Sequence, residues 1–427
     1  MFASRPRGTR DFYGPEQLVK KTVEQRLAQL AEQHGFSQIE TPIFEHAQVF
    51  TKSIGLGTDI VGKEMYQFND RKNRPMVLRP EATASVVRAW VEEKLHLKSD
   101  YHRLYYSGPM FRYENPQRGR YRQFHQFGVE YLSPKDPCAD LEIILLAQAI
   151  VKRFGLKTKL VINSLGDAKS RQNYVKTLRA YFQKNRLSLN EHSQRRIDLN
   201  VLRILDDKTE RRKKVVQMAP RIGDFYTPDA KNYWDQFCQL LDQLDIKYEV
   251  DPYLVRGLDY YNDIIFEYLP ASGSQGSQDT IIAGGRYDNL LAQAGGPDQS
   301  SVGFSLGIER LMACLPASVR ESISPKRALH VVNFSSAGCA YGLKISDQIR
   351  AQGYKVELWS GQAKLSKTLG KIAKKNPLAI IIIGNQEVET NTYLLKASFE
   401  QKSFNQAQLL EQLEIHFKDY RHSHETN

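Results

Sequence analysis

The sequence predicts an α+β protein: an antiparallel sheet flanked by helices, a helical insertion, and a separate C-terminal α/β domain. Three observations support this prediction. Residues 103–131 contain two strand-like runs around a polar turn, which is the pattern of a large antiparallel hairpin. Residues from about 167 to 247 are charged, have regularly spaced leucines and lack clear strand runs. From residue 328 onwards, predicted strands and helices alternate as in βαβ units.

The first elements are a long helix and a short strand. Apolar residues recur every three or four positions from Val19 to Leu30, and Pro15 suits the first helical turn. Gly35 is well placed to end the helix, because glycine tolerates the left-handed conformation found there. Residues 36–41 then predict a strand.

Length and composition are those of an ordinary globular protein. The chain has 427 residues, 41% of them hydrophobic and 25% charged, which corresponds to about three domains. Its 60 basic and 48 acidic side chains give a net charge of +12 at pH 7. This excess favours a polyanionic partner, because Lys and Arg displace the counterions that condense on phosphates. Many basic proteins bind no nucleic acid, so charge alone decides little.

Nothing in the sequence indicates secretion or a membrane span. The longest aliphatic run, residues 378–383, is far shorter than the roughly 18 residues that a spanning helix needs. Residues 1–7 lack the apolar core of a secretory signal, so we expect a cytoplasmic protein. The four cysteines lie far apart in the sequence, and we expect them to be reduced thiols without metal.

The hairpin carries most of the candidate chemistry. One face of its second strand presents an aromatic ring, an amide, a gap and a carboxylate, because side chains alternate between faces. These residues are Phe124, Gln126, Gly128 and Glu130. Such a row suits a small polar ligand beside a stacked base. Arginines also crowd the hairpin, and their mutual repulsion favours an anionic partner. They are Arg112, Arg118, Arg120 and Arg122.

Two other segments carry weaker signals. Residues 303–311 form a glycine-bearing strand that enters a helix, with Arg310 near the helix start, where a phosphate could be held. Glu81 and Thr83 stand two residues apart and are able to accept hydrogen bonds from an ammonium group. Taken singly, these are a packed strand-to-helix turn and two ordinary surface residues.

Taken together, these segments resemble a known family. The helix and strand ending at Pro42, the arginine-bearing hairpin and residues 303–311 are similar, in order, to the three motifs of class II aminoacyl-tRNA synthetases. Residues 254–261 (LVRGLDYY) and 284–288 (GGRYD) look like the two signature peptides of histidyl-tRNA synthetases. The resemblance extends over essentially the whole chain, and the first peptide is highly specific to that family and its close paralogues.

The resemblance also implies a domain organisation. Residues 1–166 would form the first part of the catalytic core, with the first two motifs. Residues 167–250 would be the helical insertion, and residues 251–320 would complete the core with the histidine signatures and the third motif. Residues 326–427 would form an anticodon-binding domain.

The implied activity has two steps. ATP activates histidine as histidyl-adenylate with release of pyrophosphate, and histidine then passes to the terminal adenosine of tRNA(His). Arg112 and Arg256 would be catalytic at the α-phosphate, because stabilising the charge that develops there is the main task in such transfers. The other ATP contacts would be Glu114 with the adenine amino group, Phe124 stacked on the base, and Arg310 over the adenine and γ-phosphate.

The resemblance implies a histidine pocket built from seven side chains: Glu81, Thr83, Gln126, Glu130, Arg256, Tyr260 and Tyr261. Three of them, Glu81, Thr83 and Gln126, would receive the α-ammonium group. Glu130 and Tyr261 would bond the two imidazole nitrogens. Buried groups committed to such bonds reject analogues that lack them by roughly 10⁴-fold or more, so no editing domain is needed.

Further partners follow from the resemblance. Arg118 and Arg120 at the hairpin tip would approach the tRNA acceptor end, and lysines of the C-terminal domain would approach the anticodon. Those lysines are Lys364, Lys367, Lys371, Lys374 and Lys375, although a solvated helix face explains each of them equally well. Mg²⁺ would be held mainly by the ATP phosphates, with no metal ligand assigned to the protein. A homodimer is implied, because the first motif forms the subunit interface in this class.

Two alternatives remain open at this point. The first is the synthetase-like regulatory subunit of ATP phosphoribosyltransferase, a paralogue that usually lacks the C-terminal domain and loses ATP-binding arginines. Residues 326–427, together with Arg112, Arg256 and Arg310, argue against it. The second is a catalytically inactive tRNA-binding module.

Overall fold

The computed structural model describes residues 3–55, 58, 60–99, 101–117, 119–271, 280–323, 327–335, 338–360, 364–398 and 400–421. The chain forms two compact units, Met1–Ile323 and Ser324–Asn427. Among the described residues, no helix is both long enough and apolar enough to cross a bilayer. Residues 272–277 are rich in glycine, serine and glutamine and predict a mobile loop, but they lie outside the described residues.

The first unit is a mixture of strands and helices. Its strands are β1 (Ser37–Gln38), β2 (Phe44–His46), β3 (Tyr66–Asn69), β4 (Pro75–Leu78), β5 (His102–Phe111), β6 (Gln123–Leu132), β7 (Thr158–Ser164), β8 (Tyr248–Val250), β9 (Asn262–Pro270), β10 (Ile282–Arg286) and β11 (Ser301–Gly307). Its helices are α1 (Gly14–Gln33), α2 (Ala47–Ile54), α3 (Thr83–Glu92), α4 (Pro137–Arg153), α5 (Ala168–Lys184), α6 (Glu191–Leu199), α7 (Arg203–Asp206), α8 (Lys214–Gln217), α9 (Pro228–Gln243), α10 (Leu290–Gln293), α11 (Ile308–Cys314) and α12 (Ala317–Ser322).

A central eight-stranded sheet organises this unit, in the order β1-β5-β6-β11-β10-β9-β7-β8. Its outermost pairs, β1 with β5 and β7 with β8, are parallel, and the pairs between them are antiparallel. The predicted hairpin is confirmed as β5 and β6, which pair from His102 with Leu132 to Phe111 with Gln123. The antiparallel sheet flanked by helices is therefore as predicted.

The first helix also follows the prediction. Val19, Val23 and Leu27 of α1 are buried in the core beside the sheet, and burial of each such side chain contributes about 1.5–3 kcal/mol. Gly35 has a φ of +79° just beyond the helix end, which is where glycine avoids backbone strain. The strand predicted over residues 36–41 is shorter and comprises only Ser37–Gln38.

The segment predicted as a helical insertion is mostly helical, from α5 to α9. Leu178 of α5 and Ile197 of α6 are buried in a second hydrophobic cluster. In contrast, Phe237 and Leu241 of α9 lie in the same core as α1 and α4, and the next element, β8, is an edge strand of the central sheet. The end of this segment thus packs with the central sheet.

One strand begins later than its pattern predicts. Strand signals run from residue 251 to 268, but β9 begins at Asn262. Two carbonyl groups before it bond to side chains instead of to a neighbouring strand: Leu254 O accepts from Asn163 Nδ2 at 2.9 Å, and Asp259 O accepts from Arg171 Nη1 at 3.0 Å. Residues 254–261 therefore form a loop that leads into β9.

The second unit is the predicted α/β domain. Its elements are β12 (Leu329–Asn333), α13 (Cys339–Ala351), β13 (Val356–Ser360), α14 (Leu365–Ala373), β14 (Ala379–Ile383), α15 (Asn385–Glu389), β15 (Tyr393–Lys396), β16 (Gln401–Phe404) and α16 (Gln406–Phe417). The sheet order is β13-β12-β14-β15-β16. The first three strands are parallel, as the alternation predicts, and the antiparallel strands β15 and β16 were not foreseen.

Candidate active site

A buried carboxylate lies near the middle of the central sheet. Glu130 of β6 is 1% exposed. It accepts hydrogen bonds from the Thr83 hydroxyl at 2.7 Å and from the Tyr287 hydroxyl. Burial raises its pKa from 4.5 to about 8, although both bonds act in the opposite direction. On the adjacent strand β11, a Cβ at Gly303 would overlap this carboxylate, so glycine is needed there.

A second buried carboxylate, that of Glu81, lies two residues before α3. Glu81 accepts from the backbone amides of Thr83 at 2.7 Å and Ala84 at 2.9 Å. Burial raises its pKa above the ordinary value despite these bonds. Each carboxylate oxygen of Glu81 accepts one hydrogen bond from a backbone amide of the helix. The remaining lone pairs are available to a ligand. The predicted pair Glu81 and Thr83 thus lies next to Glu130.

Tyrosine rings enclose these carboxylates. The ring centroids of Tyr260 and Tyr261 are 4.7 Å apart, and Tyr287 lies 5.7 Å and 6.5 Å from them. Burial raises the pKa of all three hydroxyls, so they are neutral near pH 7. Tyr260 and Tyr261, predicted from the first signature peptide, therefore share one cluster with Glu130.

Two tyrosines of the cluster were not predicted. Tyr287, in the second signature peptide, donates to Glu130 across 157 positions of sequence. Tyr106 of β5 occupies the space over Gly128, where a Cβ would overlap its hydroxyl. The gap that the strand pattern offered to a ligand is therefore filled by the protein. Strand alternation placed Gly128 on the correct face, but only the register between β5 and β6 brings Tyr106 opposite it.

Gln126 leaves an acceptor unused. Its side chain is buried, and its Oε1 has no hydrogen-bond partner among the described residues. An unsatisfied buried acceptor costs about 1–3 kcal/mol, so a donor from a ligand would be favourable there. Gln126 lies on the same face of β6 as Glu130.

Two arginines lie further along this face. Arg112 Nε donates to Pro80 O at 2.8 Å, and its guanidinium lies 5.2 Å from the centroid of the Phe124 ring. Arg310, in α11, donates through Nη1 to Thr280 O at 2.8 Å. Burial and then the positive charges of Arg120 and Arg112 lower the pKa of Arg310, which indicates that these cations lie close together.

Residues 254–261, which form the loop before β9, are called the signature loop. Arg256 extends from this loop towards the tyrosine cluster. Its guanidinium lies 5.6 Å from the centroid of the Tyr261 ring and forms an ion pair with Glu267. Burial alone would lower its pKa, but the charge of Glu267 raises it overall. Its Nε has no partner among the described residues. Arg256 therefore has a donor to offer a ligand.

The predicted adenine and acceptor-end residues meet in an ion pair. Arg120 Nη1 lies 2.9 Å from Glu114 Oε2. Both residues lie between β5 and β6, at the tip of the hairpin. Arg118, also predicted there, lies outside the described residues.

Side chains of the insertion form hydrogen bonds with the signature loop. Arg171 of α5 donates to the carbonyls of Asp259 and Tyr261 at 3.0 and 2.9 Å. Asn200, just after α6, donates to Asp259 Oδ1 at 2.6 Å. Arg171, Asn200 and Asp259 line a cavity of about 410 Å³.

The described residues offer no protein-built metal centre, since they contain no group of three or more His, Cys, Asp or Glu side chains with suitable geometry. Glu130 is already engaged by Thr83 and Tyr287. In the second unit, one of the predicted tRNA-facing lysines, Lys375, is paired with Glu357 at 2.7 Å.

Comparisons with known proteins agree on one class. A family model described as histidyl-tRNA synthetase matches residues 8–311. The histidine–tRNA ligase of Acaryochloris marina is 41% identical, over 96% of this chain and 95% of its own. The crystal structure of apo histidyl-tRNA synthetase from S. aureus superposes with a TM-score of 0.79 and 33% identity, covering 96% of this chain and 99% of that one.

A more distant structure shows that the fold is shared more widely. A protein from Bacillus halodurans, described as an ATP phosphoribosyltransferase regulatory subunit/histidyl-tRNA synthetase, has a TM-score of 0.64 at 22% identity. It covers 90% of this chain and 99% of its own. The nearer relatives define the class as the aminoacyl-tRNA synthetases. Within that class, the chain belongs to the histidyl-tRNA synthetase family.

Proposed function

We propose that this chain is an ATP-dependent histidine–tRNA ligase of class II. It activates L-histidine with ATP and then transfers it to the terminal adenosine of tRNA(His). The observation that carries this proposal is that one strand, β6, carries both an aromatic side chain suited to a nucleotide and polar side chains suited to an amino acid. Phe124 lies beside Arg112 near one end, and the orphaned Gln126 acceptor and Glu130 follow on the same face. An amino acid and a nucleotide bound along this strand would be neighbours.

The histidine side of the proposal rests on complementary groups. The Gln126 oxygen and the free lone pairs of Glu81 would accept from the α-ammonium group, with Thr83 beside them. Glu130 would face one imidazole nitrogen, and the hydroxyl of Tyr261, within a cluster that includes Tyr260, would face the other. The pKa of Glu130, raised to about 8, is close enough to that of imidazole for the two groups to share one proton.

The nucleotide side rests on three arginines, one of which, Arg256, is already paired with Glu267. Arg112 and Arg256 would contact the α-phosphate, and Arg310 would lie over the adenine and γ-phosphate. Phe124 would stack on the adenine, a contact worth on the order of 1–3 kcal/mol. Glu114 would accept from the adenine amino group, which requires its ion pair with Arg120 to open. Arg120, with Arg118, would then be available to the tRNA acceptor end.

The first step is an in-line displacement at phosphorus. A carboxylate oxygen of histidine attacks the α-phosphorus, and the bond from that phosphorus to the oxygen bridging the β-phosphate breaks, so that pyrophosphate leaves with the electron pair. Arg112 and Arg256 would stabilise the charge on the equatorial oxygens. Mg²⁺ would accompany ATP as part of the substrate, held mainly by its phosphates.

The second step is acyl transfer. A ribose hydroxyl of the terminal adenosine attacks the carbonyl carbon of the adenylate, the ester to tRNA forms, and AMP leaves. The hydroxyl proton would pass to the substrate's own phosphate, since no side chain is assigned as its base. The second unit would contact the anticodon through lysines near α14, and the reaction is assigned to the cytoplasm.

Exposed aromatic side chains support a homodimer. Strands β2, β4 and β3 form a small sheet. Phe44 of β2 and Phe68 of β3 lie on the same face, because Phe44 pairs with Leu78 and Phe68 pairs with Met76, two residues away. They are 56% and 44% exposed. A second copy covering this face would bury them.

The deciding experiment is histidine-dependent exchange of labelled pyrophosphate into ATP, followed by charging of tRNA(His). Exchange and charging are both expected. The family resemblance also implies that this tRNA carries an extra 5′ guanosine, so charging should be weaker for a tRNA that lacks it. Histidine binding without exchange would instead favour a regulatory subunit, and tRNA binding alone would favour an inactive module. The retained Arg112, Arg256 and Arg310 argue for the enzyme.

A further inference from the structure

One carboxylate lies between two of the site's arginines. Glu267 of β9 forms an ion pair with Arg256 through Oε1. Its other oxygen, Oε2, accepts from the Thr280 hydroxyl at 2.8 Å. The carbonyl of Thr280 in turn accepts from Arg310 Nη1 at 2.8 Å. A continuous chain of polar contacts therefore runs from Arg256 to Arg310.

Glu267, at the centre of these polar contacts, has a fixed backbone. Glu267 pairs with Ala283 of β10 on one side and with Val161 of β7 on the other, so its strand is interior to the sheet. Its side chain is 14% exposed. An arginine side chain has many rotamers, and a rigidly mounted acceptor removes much of that freedom before a ligand arrives.

The charge of Glu267 has the wrong sign for nucleotide binding. A carboxylate next to Arg256 offsets part of the attraction that this cation would exert on a triphosphate. Its benefit must therefore be geometric. With Nη1 of Arg256 held by Glu267, its Nε, which has no partner within the described part of the chain, keeps a defined direction. With Nη1 of Arg310 held by Thr280, its remaining donors are likewise oriented.

We propose that Glu267 is a positioning residue for the adenylation step, which orients Arg256 directly and Arg310 through Thr280. This inference rests on the proposed function and adds to it a residue that touches neither ATP nor histidine. It predicts a characteristic split in the kinetics. Loss of the carboxylate should slow the chemical step while leaving ATP binding unchanged or tighter, because a negative charge is removed as well.

The experiment measures kcat and the KM for ATP in histidine-dependent pyrophosphate exchange. Glu267→Gln keeps the shape of the side chain but cannot accept through both terminal atoms, and we expect kcat to fall about ten- to a hundredfold without a rise in the KM for ATP. Thr280→Val removes the hydroxyl and should lower kcat less. Thr280→Ser keeps a hydroxyl at this position, so its kcat should stay close to that of the unmodified chain.

Two further variants sharpen the result. Glu249→Gln is the matched control, because Glu249 is also a strand glutamate in an ion pair, with Lys159, but lies exposed on β8. It should leave kcat unchanged. The double variant Glu267→Gln/Thr280→Val should be no slower than Glu267→Gln alone, because both changes break the same chain of contacts.

The possible outcomes separate the two proposals. Exchange by the unmodified chain with an unchanged kcat in Glu267→Gln would overturn the positioning role and leave the proposed function intact. A raised KM for ATP with unchanged kcat would also overturn it, because Glu267 would then serve binding. If the unmodified, folded chain shows no exchange, the proposed function fails and this inference fails with it.

Discussion

The hydroxyl of Thr83 donates to Glu130 Oε1 at 2.7 Å, joining the start of α3 to β6 across 47 positions of sequence. The amide of the same threonine donates to Glu81. One residue thus connects the two buried carboxylates of the proposed histidine pocket. Both carboxylates have raised pKa values because they are buried. Their protonation therefore makes the free energy of unfolding of the protein depend on pH.

The pH dependence has a definite sign. The pKa of Glu130 rises from 4.5 to about 8 on folding, so between these values the folded chain binds more protons than the unfolded chain, and the free energy of unfolding falls as pH rises. Glu130→Gln removes this titration. We expect the variant to lose less stability than the unmodified chain between pH 5 and pH 8, as measured by urea unfolding. Parallel pH profiles would contradict the assignment.

The hydroxyl of Tyr261 is predicted to serve histidine recognition. Tyr261→Phe should raise the KM for histidine about tenfold, which corresponds to loss of one hydrogen bond to a buried ligand, with little change in the KM for ATP. Steady-state pyrophosphate exchange measures both constants. Tyr253→Phe is the control, because the Tyr253 hydroxyl donates to Gln217 O and not to a residue assigned to the pocket. Equal effects of the two substitutions would refute the prediction.

Arg112 is predicted to stabilise the transition state at phosphorus. Arg112→Lys retains the positive charge but loses the planar fork of donors, and we expect kcat of exchange to fall about 10²- to 10³-fold. The free energy of unfolding should change little, since the Arg112 side chain is half-buried and its hydrogen bond goes to a backbone carbonyl, Pro80 O. A variant with full activity would remove Arg112 from the catalytic set.

The contact between the insertion and the signature loop is testable with two arginines of one helix. Arg171 bonds to the carbonyls of Asp259 and Tyr261, whereas Arg179 bonds to Ile197 O inside the insertion. Arg171→Met should raise the KM for histidine about three- to tenfold, the equivalent of one lost hydrogen bond. Arg179→Met should leave that KM unchanged.

Thermal unfolding of both arginine variants controls for a general loss of stability. An equal rise in the KM for histidine in Arg171→Met and Arg179→Met would mean that the insertion does not act on the pocket through the loop.

The exposed face of the small sheet predicts the oligomeric state. Phe44→Asp and Phe68→Asp each place a charge on the proposed interface, and we expect dissociation to monomers, because an unpaired buried charge is strongly unfavourable at an interface. Light scattering after size exclusion reports the mass. Leu187→Asp is the control, since Leu187 is 95% exposed but lies in the insertion. A dimer that survives both phenylalanine substitutions would exclude this face.

Sequence periodicity and turn residues determined the helices, the hairpin and the second unit, since these depend on contacts between near neighbours in the chain. The sequence also indicated the chemistry of the site, because arginines and carboxylates recur within short segments whose order resembles a family. Tertiary structure alone decided which of these groups meet. Glu267 holds Arg256 because the loop that carries Arg256 lies beside β9. Tyr287 reaches Glu130 and Tyr106 fills the space over Gly128 through pairing between strands that are distant in the sequence. Strand register brings such partners together, and no local pattern encodes it.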